Sequence, residues 1–276
     1  MAILTLTRES GSFGDEIGML IARRLGYTFY DKHEIERRII AKGLPKEEFM
    51  KYDERKPNFL DRFAKNRDKY LNYLSMVILE IAKQGNCVIM GRGAFLFLRD
   101  VPNHITLRFV SPMEARIKKI KELKNIESDK VAQELLEKSD KRKRDFYKSC
   151  FKYDLTGDHT LIHATINTFS LNPDLLAEMI TAGIKNNMMD SVEEAGKQRV
   201  EELILAQQMT NKLIFEHNLH IDELWVIVRD KVITLNGVTA FHATVERAQT
   251  ILESEYSGYT IKSEIHCVQD NRFSKA

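Results

Sequence analysis

The first two thirds of the chain repeat one order: a short apolar run, a turn, and then an amphipathic stretch. The run at 2–7 is rich in β-branched and apolar residues, which is typical of a buried strand, and a helical pattern follows at 15–25. Further strands are predicted at 27–30, 87–90, 104–110 and 161–167. Strands that alternate with helices form a parallel sheet covered by helices on both faces. We therefore predict a three-layer α/β domain over residues 1–185.

The pattern changes after this domain. Residues 186–198 are polar, and we interpret them as a linker. The remainder, residues 199–276, reads as a helix, two half-buried strands, a second helix and a last strand. Asn236 and Gly237 occupy a turn or bulge position. The sequence thus predicts a smaller α+β module of order αββαβ, without a cluster of catalytic residue types.

Composition excludes several classes of protein. The 276 residues contain 42 Lys and Arg against 40 Asp and Glu, and a net charge of +2 excludes a strongly basic nucleic-acid binder. Cys87, Cys150 and Cys267 are far apart and lack zinc-site spacing, so we expect a reducing compartment and no structural metal. No export signal opens the chain, and no apolar run approaches about 18 residues. We therefore expect a cytoplasmic protein without a transmembrane segment.

The strongest functional clue is the loop between the first strand and the first helix, residues 8–14 (RESGSFG). Here an α/β fold binds phosphate, because backbone N–H groups and the helix dipole favour an anion and glycines allow close approach. The loop departs from the standard phosphate-binding pattern GxxxxGK[ST], because Gly14 falls at the lysine and an acidic pair at the serine or threonine. Arg8 is the only cation near it in sequence. A tight turn capped by Ser12 is the alternative interpretation.

Four segments, in order, resemble one family. TRESGSFGDEIGMLIARRLGYTFYDKHEI resembles the opening of the cytidylate-kinase-like proteins, a divergent branch of the P-loop nucleoside monophosphate kinases. NCVIMGRGAFLFLRDVPNHITLRFVSPMEARIKK is similar to their third and fourth strands, SDKRKRDFYKSCF to their lid, and ATINTFSLNPD to their closing strand. The resemblance covers residues 1–183 and implies a P-loop kinase-like fold that uses ATP and Mg²⁺.

The resemblance also implies roles for the matching residues. The donor phosphates would lie against Gly11, Ser12, Phe13, Gly14, Asp15 and Glu16. The acceptor would be bound by Asp31, Arg37, Arg92 and Asp140. Arg142 and Arg144 match lid arginines that clamp the moving phosphoryl group, and Arg8 would stand in for the missing lysine. Gly93 replaces the aspartate of the family's Gly-Arg-Asp motif, which bears on recognition of the base or ribose.

The C-terminal module resembles a second family. The segment WVIVRDKVITLNGVTAFHATVERAQTILESEYSGYTIKSEIHCV is similar to the BON domain, which has a V-x-L-x-G-x-V pair of strands and a late glycine, here Gly258. The resemblance implies a sensor or interaction module that binds a ligand, a protein partner or a second copy of the chain.

Three functions remain open on the sequence. Complete strand and lid motifs favour an enzyme that transfers a phosphoryl group from ATP to a nucleoside monophosphate or a related small acceptor. The absent lysine, Gly93 and the acidic pair at the helix start favour a nucleotide-binding regulator, because carboxylates there repel phosphate unless magnesium intervenes. A structural oligomer is the third. Arg37 and the basic lid run also have a simpler interpretation as solvated helix faces.

Overall fold

The computed structural model describes residues 2–49, 64–187 and 190–268. The chain divides into two compact units, with the boundary between Lys197 and Gln198. The segment predicted as a linker is helical wherever it is described, because one helix ends at Asn187 and another covers Asp190–Asn211. Its Glu, Ala and Lys residues are strong helix formers, and its polarity belongs to an exposed helix face.

The sheet of the first unit has five parallel strands in the order β2-β3-β1-β4-β5. These strands are β1 (Ile3–Arg8), β2 (Thr28–Tyr30), β3 (Cys87–Met90), β4 (His104–Val110) and β5 (Ala164–Asn167). The helices are α1 (Gly14–Leu25), α2 (Lys32–Ala41), α3 (Lys46–Phe49), α4 (Ala64–Gln84), α5 (Ala94–Phe97), α6 (Met113–Lys124), α7 (Asp129–Phe151) and α8 (Pro173–Asn187). The predicted parallel α/β architecture is confirmed.

One face of this sheet packs against α1. Alternate residues of β1, Leu4 and Leu6, are buried there with Ile17 and Ile21, as the periodicities of a strand and a helix require. Gly18 permits the close approach, because a Cβ at this position would lie 2.8 Å from Leu6 Cδ1. The tightly packed pair fixes the connecting loop at the carboxyl end of β1.

The opposite face of the sheet carries a buried polar cluster. His104 Nε2 lies 2.7 Å from Thr5 Oγ1 on the neighbouring strand, and the Thr106 backbone N–H donates to His163 Nδ1 at 2.9 Å. Burial, and to a smaller extent nearby His163, lower the pKa of His104 to about 3. His104 is therefore neutral in the folded protein throughout the physiological range.

This histidine predicts a loss of stability in mild acid. The folded-state pKa lies below the unfolded value of about 6.5, so the unfolded state binds more protons between these values and stability falls as the pH drops. From about pH 7 to about pH 5.5, we expect the wild type to lose about 1 kcal/mol more unfolding free energy than H104Q. Urea denaturation of both proteins at the two pH values measures the difference. Equal losses would contradict the assignment of this effect to His104.

The second unit contains a mixed three-stranded sheet. Its strands are β6 (Asp222–Arg229), β7 (Val232–Thr239) and β8 (Thr260–Cys267), with β7 antiparallel to β6 and parallel to β8. Its helices are α9 (Asp190–Asn211), which begins in the first unit and is followed by a π-helical turn (Lys212–Glu216), and α10 (His242–Glu255). The observed order of elements is the predicted αββαβ. Gly237 lies within β7 opposite a register shift in β6, where a Cβ would approach Ile221 Cγ2 to 2.6 Å.

Candidate active site

The loop predicted to bind phosphate joins β1 to α1. Phe13, the residue before the helix, has a left-handed backbone with φ of 58°, and no side chain among the described residues caps the helix N-terminus. The residue before the helix is Phe13 and not Ser12, whose hydroxyl donates to the carbonyls of Glu9 at 2.9 Å and Phe109 at 3.3 Å. An uncapped helix start carries partial positive charge and suits an anion.

A buried arginine holds this loop in place. Arg116 of α6 is only 4% exposed, and its Nε donates to the Ser10 carbonyl at 2.8 Å. The same guanidinium pairs with Glu9 at 3.4 Å and with Asp140 of α7. Asp140, predicted to bind substrate, is therefore engaged by Arg116 in the support of the loop.

A cavity of about 480 Å³ lies at the carboxyl ends of β1 and β3. Its lining contains six basic side chains, which are Arg8, Lys32, Arg92, Lys124, Arg142 and Lys143. Within the described part of the chain, no Asp or Glu lines this cavity. Such a lining attracts anions, because the positive charges reinforce one another in a concave surface.

Arg8 lies at the edge of this cavity and next to the loop. Its guanidinium forms an ion pair with Asp15 at 2.9 Å, and the side chain remains partly exposed. Glu16, one residue further, lies 3.4 Å from Lys119, whose ammonium sits 4.3 Å from the Phe13 ring centroid. Both acidic residues of the helix start are thus exposed and already close to cations.

Three successive residues after β3 have left-handed backbones, with φ of 78° at Gly91, 55° at Arg92 and 67° at Gly93. Such a conformation is uncommon for arginine and is often retained at functional sites. Arg92 is 2% exposed and pairs with Glu36 of α2. A Cβ at position 93 would lie 2.6 Å from the Phe151 ring, so the aspartate of the family motif has no room here.

Helix α2 does not bring the residues predicted to bind the acceptor, Asp31 and Arg37, into the cavity. The Asp31 carboxylate accepts a hydrogen bond from the Glu34 backbone N–H at 2.7 Å and caps the helix. Arg37 has a side chain that is 78% exposed, pairs with Glu34 and does not line the cavity. Its neighbour Lys32, which the sequence did not single out, does line it. The structure thus brings Lys32, rather than Arg37, to the basic cavity.

The segment that resembles a kinase lid lies on α7, and its basic side chains line different cavities. Arg142 lines the large cavity, whereas Arg144 is exposed and lines a small one of about 30 Å³ near Arg108. Lys143, which lines both, donates from Nζ to the Arg8 carbonyl at 2.9 Å and to Ser10 Oγ at 3.0 Å.

Lys143, like Lys32, is a cavity residue to which sequence reasoning gave no role. A usable signal existed, because Leu136, Asp140, Lys143 and Tyr147 follow the spacing of a single helix face. Leu136 and Tyr147 are both buried, so this is the inner face of α7.

The described residues also bear on metal sites, membrane spans and cysteine chemistry. No group of three or more His, Cys, Asp or Glu side chains in this part of the chain could hold a metal ion. Every helix described is too short or too polar to cross a bilayer. Burial raises the pKa of the Cys87 thiol to about 12, so this cysteine behaves as a small buried hydrophobe.

Comparison with known proteins agrees with this fold. The cytidylate kinase of Methanocaldococcus jannaschii is 26% identical over 146 residues, which span 52% of this chain and 75% of that protein. The crystal structure of an uncharacterized protein from Eubacterium ventriosum shares the fold with a TM-score of 0.52 at 21% identity, covering 68% of this chain and 100% of that one. The model of the cytidylate kinase-like family matches residues 3–170. This chain therefore belongs to the cytidylate kinase-like family.

Proposed function

We propose that this protein transfers a phosphoryl group from ATP to a CMP-like nucleoside monophosphate or to a related small phosphorylated acceptor. The observation that supports the proposal best is the cavity with six basic side chains at the carboxyl ends of β1 and β3. Ligands of open α/β sheets bind at this edge, and a phosphorylated acceptor needs cations there. Membership of the cytidylate kinase-like family supports the same reaction class.

The donor phosphates are assigned to the loop and the start of α1. The uncapped N-terminus of α1 offers backbone donors, with Arg8 beside it. Mg²⁺ prefers oxygen ligands and is commonly held by one or two carboxylates together with substrate phosphates. Asp15 and Glu16 are exposed carboxylates of this kind and would hold it. When bound, Mg²⁺ would offset charge on the donor phosphates.

The acceptor is assigned to the basic cavity. Lys32, Arg92 and Arg142 line it from α2, the turn after β3 and α7, so three elements converge on one anionic group. Transfer of a phosphoryl group requires little covalent chemistry from the protein, because positioning and charge stabilisation dominate. Arg142 would stabilise charge on the moving group while Lys32 and Arg92 hold the acceptor phosphate.

A regulator without turnover is the second candidate. Arg8 is paired with Asp15 and Arg92 with Glu36, and both pairs weaken the attraction for phosphate. In this role the second unit, as a BON-like module in the cytoplasm, would contact a partner. Trp225 supports such a contact, because its large apolar side chain on β6 is 51% exposed.

Nucleotide binding and turnover tests separate the two candidates. With ATP and Mg²⁺ at about 100 times Kd, we expect an increase of about 2.7 kcal/mol in stability, and ADP formation only when CMP is also present. Thermal shift and a coupled ADP assay measure these two effects. Adenosine and cytidine serve as controls, because they lack phosphate and should give no shift. Binding without turnover favours the regulator, and no binding contradicts both candidates.

A further inference from the structure

The outer face of α8 is apolar along its midline, where a surface helix is normally polar. The inner face packs against α1 and the sheet through residues such as Leu176 and Ile184, which are buried. On the outer face, Leu175 is 46% and Met179 is 56% exposed, and Ala182 follows one turn later. These three residues, which we call the α8 seam, are spaced by four and then three positions. Such spacing is typical of the contact line between two paired helices.

A glycine beside the α8 seam has no packing reason within the described part of the chain. Gly183 lies inside α8, and a Cβ at this position would meet no atom within 4 Å. Glycine in a helix interior is less favourable than alanine, so its presence here costs stability. It suits a position that another backbone approaches closely. Together with the small side chain of Ala182, it leaves a shallow notch on the exposed surface of the helix.

The α8 seam is complementary in shape to itself when two copies run antiparallel. A two-fold axis makes every contact reciprocal. With this axis between Met179 and Ala182, Met179 of each copy lies opposite Ala182 of the other, so a large side chain fills the notch beside Gly183. A parallel pair would instead set Met179 against Met179 and leave a gap between the two alanines. Interdigitation of large and small residues therefore favours the antiparallel pair.

Charges along one flank of the α8 seam favour the same arrangement. The helical period places Asp174 and Glu178 on this flank near the start of α8, and Lys185 on the same flank near its end. Arg24 of α1 lies 3.5 Å from Asp174 and 4.0 Å from Glu178, so the two carboxylates keep a net negative charge in its presence. Antiparallel pairing brings Lys185 of each copy to this acidic half of the other, whereas parallel pairing brings two lysines together.

We propose that two copies of this chain associate through the α8 seam, antiparallel about a two-fold axis. The second copy is the occupant that fits, because one seam carries both the protruding and the recessed surface and both signs of charge. No residue of α8 lines the basic cavity in the part of the chain that is described. The contact is thus separate from the candidate active site and does not depend on the reaction proposed above.

Sedimentation velocity of the full chain, from about 1 µM to about 100 µM, tests the contact. We expect the wild type to be dimeric at the upper concentrations. M179E places two carboxylates close to the two-fold axis in an apolar contact, and should raise the dimer dissociation constant by about a hundredfold or more. L123E is the matched control, because Leu123 is 66% exposed on α6 and outside the seam, and it should leave the association unchanged.

Two further variants test the notch and the charges. G183A should raise the melting temperature, because alanine is the better helix former and its Cβ meets nothing in the described chain, yet it should weaken association about tenfold by filling the notch. K185E should also weaken association, because it sets like charges together across the axis. E178K/K185E exchanges the two signs within one copy and should recover part of the loss.

The outcomes separate this contact from others. If M179E melts without cooperativity, A182E at another exposed position of the seam replaces it. A wild type that stays monomeric at about 100 µM overturns the proposal. A dimer that both seam variants leave intact and W225E dissolves also overturns it, because the contact would then lie in the second unit. A G183A variant that is more stable but associates like the wild type contradicts close approach of two helices at the notch.

Discussion

Arg8→Ala is expected to lower kcat by about a hundredfold or more while the fold survives, by analogy with the removal of one transition-state donor. Arg8 ends β1 and lines the basic cavity, so in the proposed reaction its guanidinium would lie where charge develops on the transferred group. The cost to stability should be small, because its partner Asp15 is largely exposed and such pairs contribute little. Steady-state ADP formation at saturating ATP and acceptor, together with a thermal melt, measures both effects.

Arg24→Ala is the matched control for Arg8. Arg24 is an exposed arginine of α1 that pairs with Asp174 at 3.5 Å and does not line the cavity, so its removal should leave kcat unchanged. If R8A weakens ATP binding in a protein that has no turnover, the regulator becomes the better description. If R8A changes neither binding nor turnover, Arg8 is a structural residue at a strand end.

Arg116→Met should reduce the free energy of unfolding by about 3 kcal/mol or more. Arg116 is buried and bridges the Ser10 carbonyl and the Asp140 carboxylate. Asp140 Oδ1 is itself buried without a hydrogen-bond partner in the described part of the chain. Loss of the guanidinium would leave this carboxylate uncompensated, which is costly in a poorly solvated position. Urea denaturation followed by circular dichroism measures the change.

Two variants calibrate the Arg116 result. Lys121→Met removes another cation of α6, but that residue pairs with the exposed Asp129, so the cost should stay below about 1 kcal/mol. The double variant R116M/D140N should recover part of the loss, because it removes the stranded charge as well. A cost for R116M no larger than for K121M would show that the bridge between loop and α7 contributes little.

Local patterns in the sequence were sufficient to predict the architecture of the first unit. Each strand is a short apolar run, and each helix is an amphipathic repeat. The alternation of the two along the chain therefore predicts both the parallel sheet and the position of the loop after β1. The polarity of 186–198 did not reveal the helices there, because an exposed helix face and a linker have similar composition. Apolar character does not by itself decide burial either, since Trp225 on β6 is exposed to solvent.

The sequence by itself therefore determined the class of fold, the position of the loop between β1 and α1 and its lack of a lysine. Only the tertiary structure decided which basic residues reach the cavity, since this depends on how distant elements pack. Arg37 and Lys32 lie on one helix, yet only Lys32 faces the cavity. Arg116 meets Ser10 across 106 positions, and Lys143 meets Arg8 across 135. No local pattern encodes such pairings, because they arise when α6 and α7 pack against the end of β1.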